Sequence, residues 1–371
     1  MFHLATLSLG LIVAFRFLGR LPIAGVARYT VAAVVLLVSV HHLLSRIAFG
    51  TMFSPEVPRP VMIVVNWLFV SILLLALFQI ALEIYTLVRR LIERRRIKPP
   101  VWMFALVGIM ALAASAFGVA QALRLPMPKT VEIAIKGLPR ELDGFRILQL
   151  TDLHISRLFQ APWVTAMVEA ANRQDADLIV ISGDLIDGTL AARRADVEPL
   201  KDLRSRNGVY VIPGNHEYYF GYPGWMERFS ELGLRPLANS HTVIGRADAR
   251  FVLAGVTDLA AGATGFPRPD IAKAIEGAPA GSPVILLNHQ PREAGLAARA
   301  GVALQLSGHT HGGMIMGLDR IVARANNGFV SGLYAVEGMP LYVNNGTALW
   351  IGFAVRLGVP SELTTIVLRA A

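Results

Sequence analysis

The chain has 371 residues, of which 54% are hydrophobic, and its mean hydropathy of +0.51 is too high for an ordinary soluble protein. Its formal net charge is +9, but much of the excess Arg and Lys clusters beside apolar segments, which indicates membrane topology and argues against nucleic-acid binding. The absence of cysteine excludes disulfides and thiolate metal ligands.

Four apolar segments predict a transmembrane helical region over residues 1–125, followed by a globular domain over residues 126–371. The third and fourth segments reach the roughly 20 apolar residues that span a bilayer. The first is short and also resembles a signal peptide, although no basic region precedes it. The segments extend from about His3 to Leu18, Tyr29 to Leu44, Val61 to Val88 and Val101 to Leu123.

A basic loop between the third and fourth segments predicts how the chain crosses the membrane. Only Glu93 opposes its six basic residues, which are Arg89, Arg90, Arg94, Arg95, Arg96 and Lys98. Because Arg and Lys concentrate in cytoplasmic loops, we expect this loop to be cytoplasmic. The fourth span then leads outward, so the prediction is a multi-pass protein of the cytoplasmic (inner) membrane with an extracytoplasmic globular domain.

The globular portion alternates strand-like and helix-like patterns, which predicts an α/β domain. Helical patterns around residues 163–171, 197–203 and 225–232 separate the early strands, and this predicts parallel pairing with crossover helices. The later strands have fewer helices between them, which predicts mixed or antiparallel pairing. Two packed sheets flanked by helices satisfy both patterns. The strand-like runs are residues 130–136, 145–150, 178–181, 209–212, 251–254, 284–287, 304–306, 341–343 and 363–368.

Side chains that can bind a metal follow several of these strands, namely Asp152, His154, Asp184, Asn215, His289, His309 and His311. Ligands gather at the carboxyl ends of strands in open α/β sheets. His309 and His311 stand one residue apart between glycines, a spacing that lets both imidazoles face one small volume. Taken singly, Asp152 or Asn215 also fits a turn or a helix cap, as does Asp187. Those interpretations do not explain histidines after several different strands.

The types of ligand indicate which metals and substrates suit such a site. Imidazoles mixed with carboxylates and an amide favour Mn, Fe or Zn over Ca or Mg. Seven candidates are too many for one ion and suit two ions that share a carboxylate. Two divalent ions with two carboxylates and one bridging hydroxide leave a net positive charge, so an anionic substrate such as a phosphate ester is expected. Two metals about 3.5–4 Å apart stabilise the attacking and leaving oxygens of an in-line displacement.

The stretch from about Phe145 to Ala371 resembles the calcineurin-like metallophosphoesterases. Bacterial membrane-associated members are the nearer resemblance, on Gln149–His154, on Gly312-Gly313 and on Arg356–Glu362. The resemblance implies a four-layer α/β/β/α sandwich with a dinuclear metal site. Five motifs in the same order carry it, namely Asp152-Leu153-His154, Gly183–Asp187, Gly214–Glu217, His289 and Gly308–His311.

Carried over residue by residue, the resemblance implies a role for each candidate. Asp152, His154 and His311 would hold one metal, Asn215, His289 and His309 the second, and Asp184 would bridge them. His216 would contact the phosphate and protonate the leaving oxygen, an effect typically worth about 10²–10⁴ in rate. Met314 stands where close relatives have Gln, and because it is not a ligand we expect it to affect substrate contacts only.

These patterns predict a membrane-anchored, dinuclear metal-dependent phosphoesterase (phosphodiesterase or phosphohydrolase) acting on phosphoester or pyrophosphate bonds. Tethering beside a bilayer suggests a lipid-linked substrate, and the alternative is that the helices only anchor the domain. A non-catalytic metal-binding scaffold is a second interpretation, which the complete ligand set and His216 disfavour. A transporter-associated domain is a third. It is disfavoured because the few ionisable residues of the apolar segments, Arg16, His41, His42 and Glu83, lie toward segment ends.

Overall fold

The computed structural model describes residues 2–95, 97–246 and 249–371. Its packing separates two units, which we call the helical unit (Met1–Gln121 with Ile351–Leu357) and the α/β unit (Ala122–Trp350 with Gly358–Ala371). The predicted domain boundary between residues 125 and 126 stays a prediction. The structure adds that Ile351–Leu357, here called the inserted segment, packs with the helices although it lies far from them in sequence.

Three stretches of the helical unit are long and apolar enough to cross a bilayer, and they are Phe2–Arg20, Arg59–Glu93 and Val101–Ala122. A fourth is obtained if helices α2 and α3, which are bent by 59° relative to each other, form one span. Arg96 of the predicted basic loop lies outside the described residues. The α-helices described here are α1 (Phe2–Leu11), α2 (Gly25–Ser39), α3 (His41–Phe49), α4 (Arg59–Glu93) and α5 (Val101–Ala122).

The second predicted span, residues 29–44, is not one continuous helix. Val40 leaves the helical region with φ −108° and ψ 12°, and α3 starts at His41. Neither Gly nor Pro stands at this position, so the sequence carries no signal for the break. The tertiary structure supplies a reason, because His42 Nε2 lies 2.8 Å from the carbonyl oxygen of Gly352 in the inserted segment.

The side chain of Asn66 in α4 binds the backbone of the inserted segment. Its side chain is fully buried, donates from Nδ2 to the Ile351 carbonyl at 2.9 Å and accepts from the Ala354 N–H at 2.7 Å. A buried amide that pairs with one donor and one acceptor meets the demand for satisfied polar groups in an apolar environment. The backbone of the inserted segment can therefore lie among apolar helices because Asn66 satisfies it there.

The α/β unit contains two six-stranded sheets within the described residues. The first has the order β1-β12-β2-β3-β4-β5 and the second the order β10-β11-β9-β8-β7-β6. Strands β2 to β5 pair in parallel, as do β7, β8, β9 and β11, whereas β6 and β10 pair antiparallel with their neighbours. The strands are β1 (Pro128–Ile135), β2 (Arg146–Leu150), β3 (Leu178–Ser182), β4 (Val209–Ile212), β5 (Arg235–Pro236), β6 (Ser240–Arg246), β7 (Ala249–Gly255), β8 (Val284–Leu287), β9 (Leu304–Ser307), β10 (Gly332–Val336), β11 (Met339–Val343) and β12 (Leu363–Ala370).

Every strand-like run in the sequence corresponds to a strand, and the mixed pairing expected of the second sheet is confirmed. Strands β5, β6 and β10 were not predicted. All three are edge strands, where one hydrogen-bonding side is open and the apolar alternation is weaker. The helical pattern at 197–203 is a short 3-10 helix over Glu198–Asp202.

Three apolar clusters show that the unit has four layers. Between the sheets, residues such as Val180 of β3 and Ile285 of β8 share one fully buried core. Helices cover the outer face of each sheet, for example through Trp225 on the first sheet and Ala294 on the second. The predicted α/β/β/α sandwich is therefore confirmed. The helices of this unit are α6 (Ala161–Asn172), α7 (Leu190–Arg193), α8 (Asn215–Tyr219), α9 (Tyr222–Glu231), α10 (Ile271–Ile275), α11 (Ala294–Arg299) and α12 (Asp319–Ala325).

Candidate metal centre

The seven predicted ligands all lie within four residues of the carboxyl ends of central strands of the two sheets. Because these strands run parallel within each sheet, their carboxyl ends meet at one edge, and the turns converge there. Six of the seven side chains belong to buried residues, and His309 is half-buried. Asp152 and His154 follow β2, Asp184 follows β3, Asn215 follows β4, His289 follows β8, and His309 and His311 follow β9.

Backbone strain is concentrated on these turns. Five of the seven residues have positive φ, namely Asp152 (53°), His154 (40°), Asp184 (54°), His309 (70°) and His311 (50°). Each such conformation costs a non-glycine residue about 1–3 kcal/mol and persists only where the surroundings enforce it. Hydrogen bonds between turns do so here, since Asp152 N donates to the Gly183 carbonyl at 3.0 Å and His154 N to the Asp184 carbonyl at 3.1 Å.

Two glycines allow the turns to approach closely. A Cβ atom on Gly308 would lie 2.3 Å from Asp152 Oδ2, and one on Gly214 would lie 2.2 Å from Asp184 Oδ1. Both distances are shorter than any real contact, so a side chain at either position would push the carboxylate away. The glycines that flank the acidic and histidine motifs therefore have a steric role in bringing the ligands together.

Three overlapping groups of side chains present nitrogen and oxygen atoms at metal-binding spacing. Within each group all ligand atoms lie within 4.8 Å of one another. Asp184 belongs to two groups, and its Oδ2 lies 3.2 Å from His289 Nε2 and 3.8 Å from His154 Nε2. The groups are Asp152 with His154 and His311, Asp184 with His289 and His309, and His154 with Asp184 and His216.

Asn215 adds a buried amide oxygen to the site. Its Oδ1 is buried and accepts no hydrogen bond among the described residues. A buried amide oxygen in that state is costly, on the order of 1–3 kcal/mol, unless a cation or a donor meets it. The donor set of carboxylates, imidazoles and one amide oxygen therefore fits divalent metal ions.

Asp187 contacts two histidines at once. Its Oδ1 lies 2.9 Å from His154 Nδ1 and 2.5 Å from His216 Nδ1, and the residue is fully buried. Burial alone would raise the pKa of this carboxyl group, but the two histidines hold it at about 2. Asp187 therefore remains a carboxylate that orients both rings, a role that its place in the sequence did not indicate.

His216 shares one of the three groups with His154 and Asp184, and it carries a proton in this arrangement. Burial disfavours its imidazolium, yet the carboxylates of Asp184 and Asp187 outweigh burial and raise its pKa to about 9. Bound metal ions would lower that value because their charge opposes a second cation nearby. The site thus holds a proton on a residue next to the predicted ligands.

Sequence reasoning missed two features that brace the site. Glu217 is fully buried and accepts the N–H groups of Gly214 at 2.7 Å, Leu185 at 2.8 Å and Asp184 at 3.1 Å, so it ties the turns after β3 and β4 together. After β11, Ala348 N donates to the Asp152 carbonyl at 3.1 Å. The position of Glu217 directly after His216 was the available signal, whereas the second contact depends on tertiary structure.

Residues 145–313 match the sequence model of the calcineurin-like phosphoesterase family. These residues belong to that family. This confirms the resemblance that the five motifs carry. Within the described residues, three helices are long and apolar enough to span a bilayer, which supports association of the chain with a membrane.

Relatives of this chain occur in vertebrates and bacteria. It is 36% identical over 272 residues to a "Transmembrane protein with metallophosphoesterase domain" of Danio rerio, covering 71% of this chain and 62% of that protein. An "Uncharacterized metallophosphoesterase" of Helicobacter pylori is 34% identical over 248 residues, covering 66% of this chain and 65% of that protein. Another, from Bacillus subtilis, is 29% identical over 279 residues, covering 72% and 95%. The chain thus spans less than two thirds of the length of the first two relatives.

Proposed function

We propose that this chain is a membrane-anchored phosphoester hydrolase that uses two divalent metal ions, Mn, Fe or Zn. The observation that carries the proposal is the overlap of the three His and Asp groups, whose ligand atoms lie within 4.8 Å of one another in each group. When bound, such ions polarise the phosphoryl group, stabilise developing negative charge and activate water for in-line attack. Family membership supports hydrolysis of a phosphoester as the reaction class.

The proposal assigns each predicted ligand to one of the two metal ions. Asp152, His154 and His311 would hold one ion, and Asn215, His289 and His309 would hold the other. Asp184, which belongs to two of the three groups, would be the carboxylate that both sets share. This assignment follows the family motifs and agrees with the distances between the side chains.

His216 would supply the proton that the leaving oxygen requires. Its Nδ1 contacts Asp187, and its Nε2 lies 3.9 Å from Asp184 Oδ2, so Nε2 is the ring atom on the side of the predicted ligands. A positioned imidazolium of this kind contributes about 10²–10⁴ in rate. In the proposal the leaving oxygen departs protonated from His216, which regains its proton from solvent.

The test uses the full-length protein purified in detergent, stripped of metal and reloaded with Mn²⁺, Zn²⁺ or Fe²⁺. We expect metal-dependent hydrolysis of bis(p-nitrophenyl) phosphate or p-nitrophenyl phosphate. Asn215→Ala should weaken metal binding, and His216→Ala should lower kcat by about 10²-fold or more with metal content unchanged. His241→Ala is the matched control, because that ring binds the Ala274 carbonyl instead. A protein that binds two metals but hydrolyses neither ester in any metal form would favour a non-catalytic scaffold.

Asp187→Asn separates the positioning of the histidines from metal ligation. The change keeps the shape of the side chain but removes the charge that holds the Nδ1 atoms of His154 and His216. Loss of such a partner typically lowers metal affinity or activity by 10–100-fold. We expect a fall of that size in kcat/KM. The basic limb of the pH profile should also shift to lower pH, because the pKa of His216 falls without this carboxylate and the ring then loses the proton that it donates at lower pH. An unchanged pH profile would contradict the positioning role.

A lipid-linked phosphoester or pyrophosphate is the substrate class we propose from the membrane attachment. A catalytic domain held at a bilayer meets such substrates at high local concentration. Supplying a lipid pyrophosphate in mixed micelles should therefore give a higher kcat/KM than the chromogenic esters. Equal values for the lipid and for its soluble head group would remove the support for a lipid-linked substrate.

We also propose that the α/β unit lies outside the cytoplasmic membrane, on the strength of the basic loop before α5. The chain has no cysteine, so single cysteines can report sidedness without background. Glu141 and Arg95 are both exposed. In spheroplasts, Glu141→Cys should react with a membrane-impermeant maleimide, and Arg95→Cys should react only after permeabilisation. The reverse pattern would place the α/β unit in the cytoplasm.

A further inference from the structure

A polar cavity of about 480 Å³ lies within the helical unit, at the end that carries the basic loop. Three arginines and one glutamate line it, namely Arg16, Arg20, Arg90 and Glu83, which leaves a net charge of +2. Glu83 is already engaged, since Arg16 Nε lies 2.9 Å and Gln79 Nε2 lies 2.8 Å from its Oε1. The cavity therefore presents positive charge that its own carboxylate does not balance.

Gln79 adds an acceptor to the same cavity. The residue is 3% exposed, and its Oε1 has no hydrogen-bond donor among the described residues. Because Nε2 donates to Glu83, the orientation of the amide is determined, and Oε1 is the acceptor atom that has no donor within the described residues. A ligand that carries both an anionic group and a hydroxyl would satisfy the arginines and Gln79 together.

An apolar cavity of about 530 Å³ adjoins the polar one. Phe104 lines both cavities. Along α4, residues 68–75 line the apolar cavity and residues 79–90 line the polar cavity, so one follows the other along the helix axis. The apolar walls come from the segment between α1 and α2, from α2, α4 and α5, and they include Phe17, Val34, Leu75 and Gly108. The combined space is amphipathic, with a cationic end and a hydrocarbon end.

We propose that these two cavities form a binding site for an anionic glycerophospholipid whose head group carries a hydroxyl, such as phosphatidylglycerol. The phosphate would lie beside Arg20 and Arg90, the head-group hydroxyl would donate to Gln79, and an acyl chain would occupy the apolar cavity. Basic pockets between membrane helices recognise anionic head groups in this way. A zwitterionic lipid brings its own cation, which a net positive cavity disfavours. A free phosphate would leave the apolar cavity unfilled.

The test compares lipids of identical acyl chains on the full-length protein in detergent. Dioleoylphosphatidylglycerol and dioleoylphosphatidylcholine are titrated while retained lipid is counted by native mass spectrometry and Tm is measured. We expect phosphatidylglycerol to bind about tenfold more tightly or better and to raise Tm, in line with the contribution of two arginines near a head group. Glycerol 3-phosphate, the soluble counterpart of the head group, should bind far more weakly.

Paired variants distinguish this site from general charge attraction. Arg20→Gln with Arg90→Gln should abolish the preference for phosphatidylglycerol. Arg94→Gln with Arg95→Gln removes the same charge from residues that do not line the cavity and should preserve the preference. Gly108→Leu, which places a side chain near the Phe17 ring, should fill the apolar cavity and weaken retention with all arginines intact.

Three outcomes would overturn the proposal. Equal binding of the two lipids would remove the anionic selectivity. Retained preference in the Arg20 and Arg90 double variant would place the selectivity elsewhere. Binding of glycerol 3-phosphate as tight as that of the lipid would indicate a site for a soluble phosphate instead. Should Gly108→Leu fail to fold, the two arginine pairs still decide the question.

Discussion

Replacing Asp184 with asparagine is expected to lower kcat/KM by about 10³-fold or more, equivalent to about 4 kcal/mol of transition-state stabilisation. The substitution keeps the shape of the side chain and removes its charge. That charge lies at the centre of the site, because Asp184 Oδ2 is 3.2 Å from His289 Nε2 and 3.9 Å from His216 Nε2. Without it, neither proposed ion retains the shared carboxylate, and we expect at least one metal to be lost.

The measurements are metal content by mass spectrometry and hydrolysis of the same chromogenic esters. Asp196→Asn is a suitable control, since this carboxylate pairs with Arg193 and caps Ala161 rather than meeting the histidines. The control should lose stability at most, with metal content and kcat/KM close to those of the parent. An Asp184→Asn protein that holds two metals and hydrolyses at the parental rate would contradict the shared role of this residue.

Replacing Asn66 with leucine is expected to destabilise the helical unit by about 2–6 kcal/mol. The leucine leaves the Ile351 carbonyl and the Ala354 N–H buried without their partner, and each such group costs about 1–3 kcal/mol. Phe353, whose ring packs edge-to-face on Phe69 at 5.7 Å, would lose its fixed backbone. We expect the inserted segment to detach before the helices unfold.

Limited trypsin digestion reports this detachment directly. Arg356 is 2% exposed, so the parent protein should resist cleavage after it, and the Asn66→Leu variant should be cut there at a rate at least tenfold higher. Ser71→Ala removes another buried polar group of α4 that bonds to Trp67 and Ser115 instead, and this control should stay resistant at Arg356. Equal cleavage of parent and Asn66→Leu proteins would show that other contacts suffice to hold the segment.

The inserted segment also determines whether the α/β unit can be studied as a separate fragment. A fragment that begins near residue 126 contains Ile351–Leu357 but lacks Asn66, His42 and the helices against which the segment packs. Its apolar residues would then be exposed to water, which favours aggregation. Full-length protein in detergent is therefore the appropriate material for every measurement above.

Much of the fold was predictable because buried parallel strands have a strong pattern. Runs such as Leu178–Ile181 and Val209–Ile212 are continuous and apolar, since both faces of these strands are covered. The apolar pattern of strands β6 and β10 is weaker, because in these edge strands buried residues alternate with residues that face solvent. The helix break at Val40 has no signal in the local sequence, because it accompanies a hydrogen bond between His42 and a carbonyl group 310 residues away.

The candidate site divides in the same way. The residue types and their place after strands were enough to name the Asp and His candidate ligands that the structure groups with Asp184, whereas His216 was named from the family resemblance. Their assignment to two metals rests on the family motifs and stays a prediction. The contacts of Asp187 with two histidines, and of Glu217 with three N–H groups, were not predictable, since they depend on how neighbouring turns approach.

The local amino-acid sequence therefore specifies which segments are apolar helices and which are buried strands. It also specifies which residues with metal-binding atoms follow those strands. These properties follow from periodicity and side-chain chemistry over a few residues. Packing alone specifies the return of the inserted segment to the helices, the orientation of His154 and His216 by one carboxylate, and the alignment of arginines beside an apolar cavity. Each of these joins residues far apart in sequence, and hydrogen bonds and burial between such residues exist only once the chain has folded.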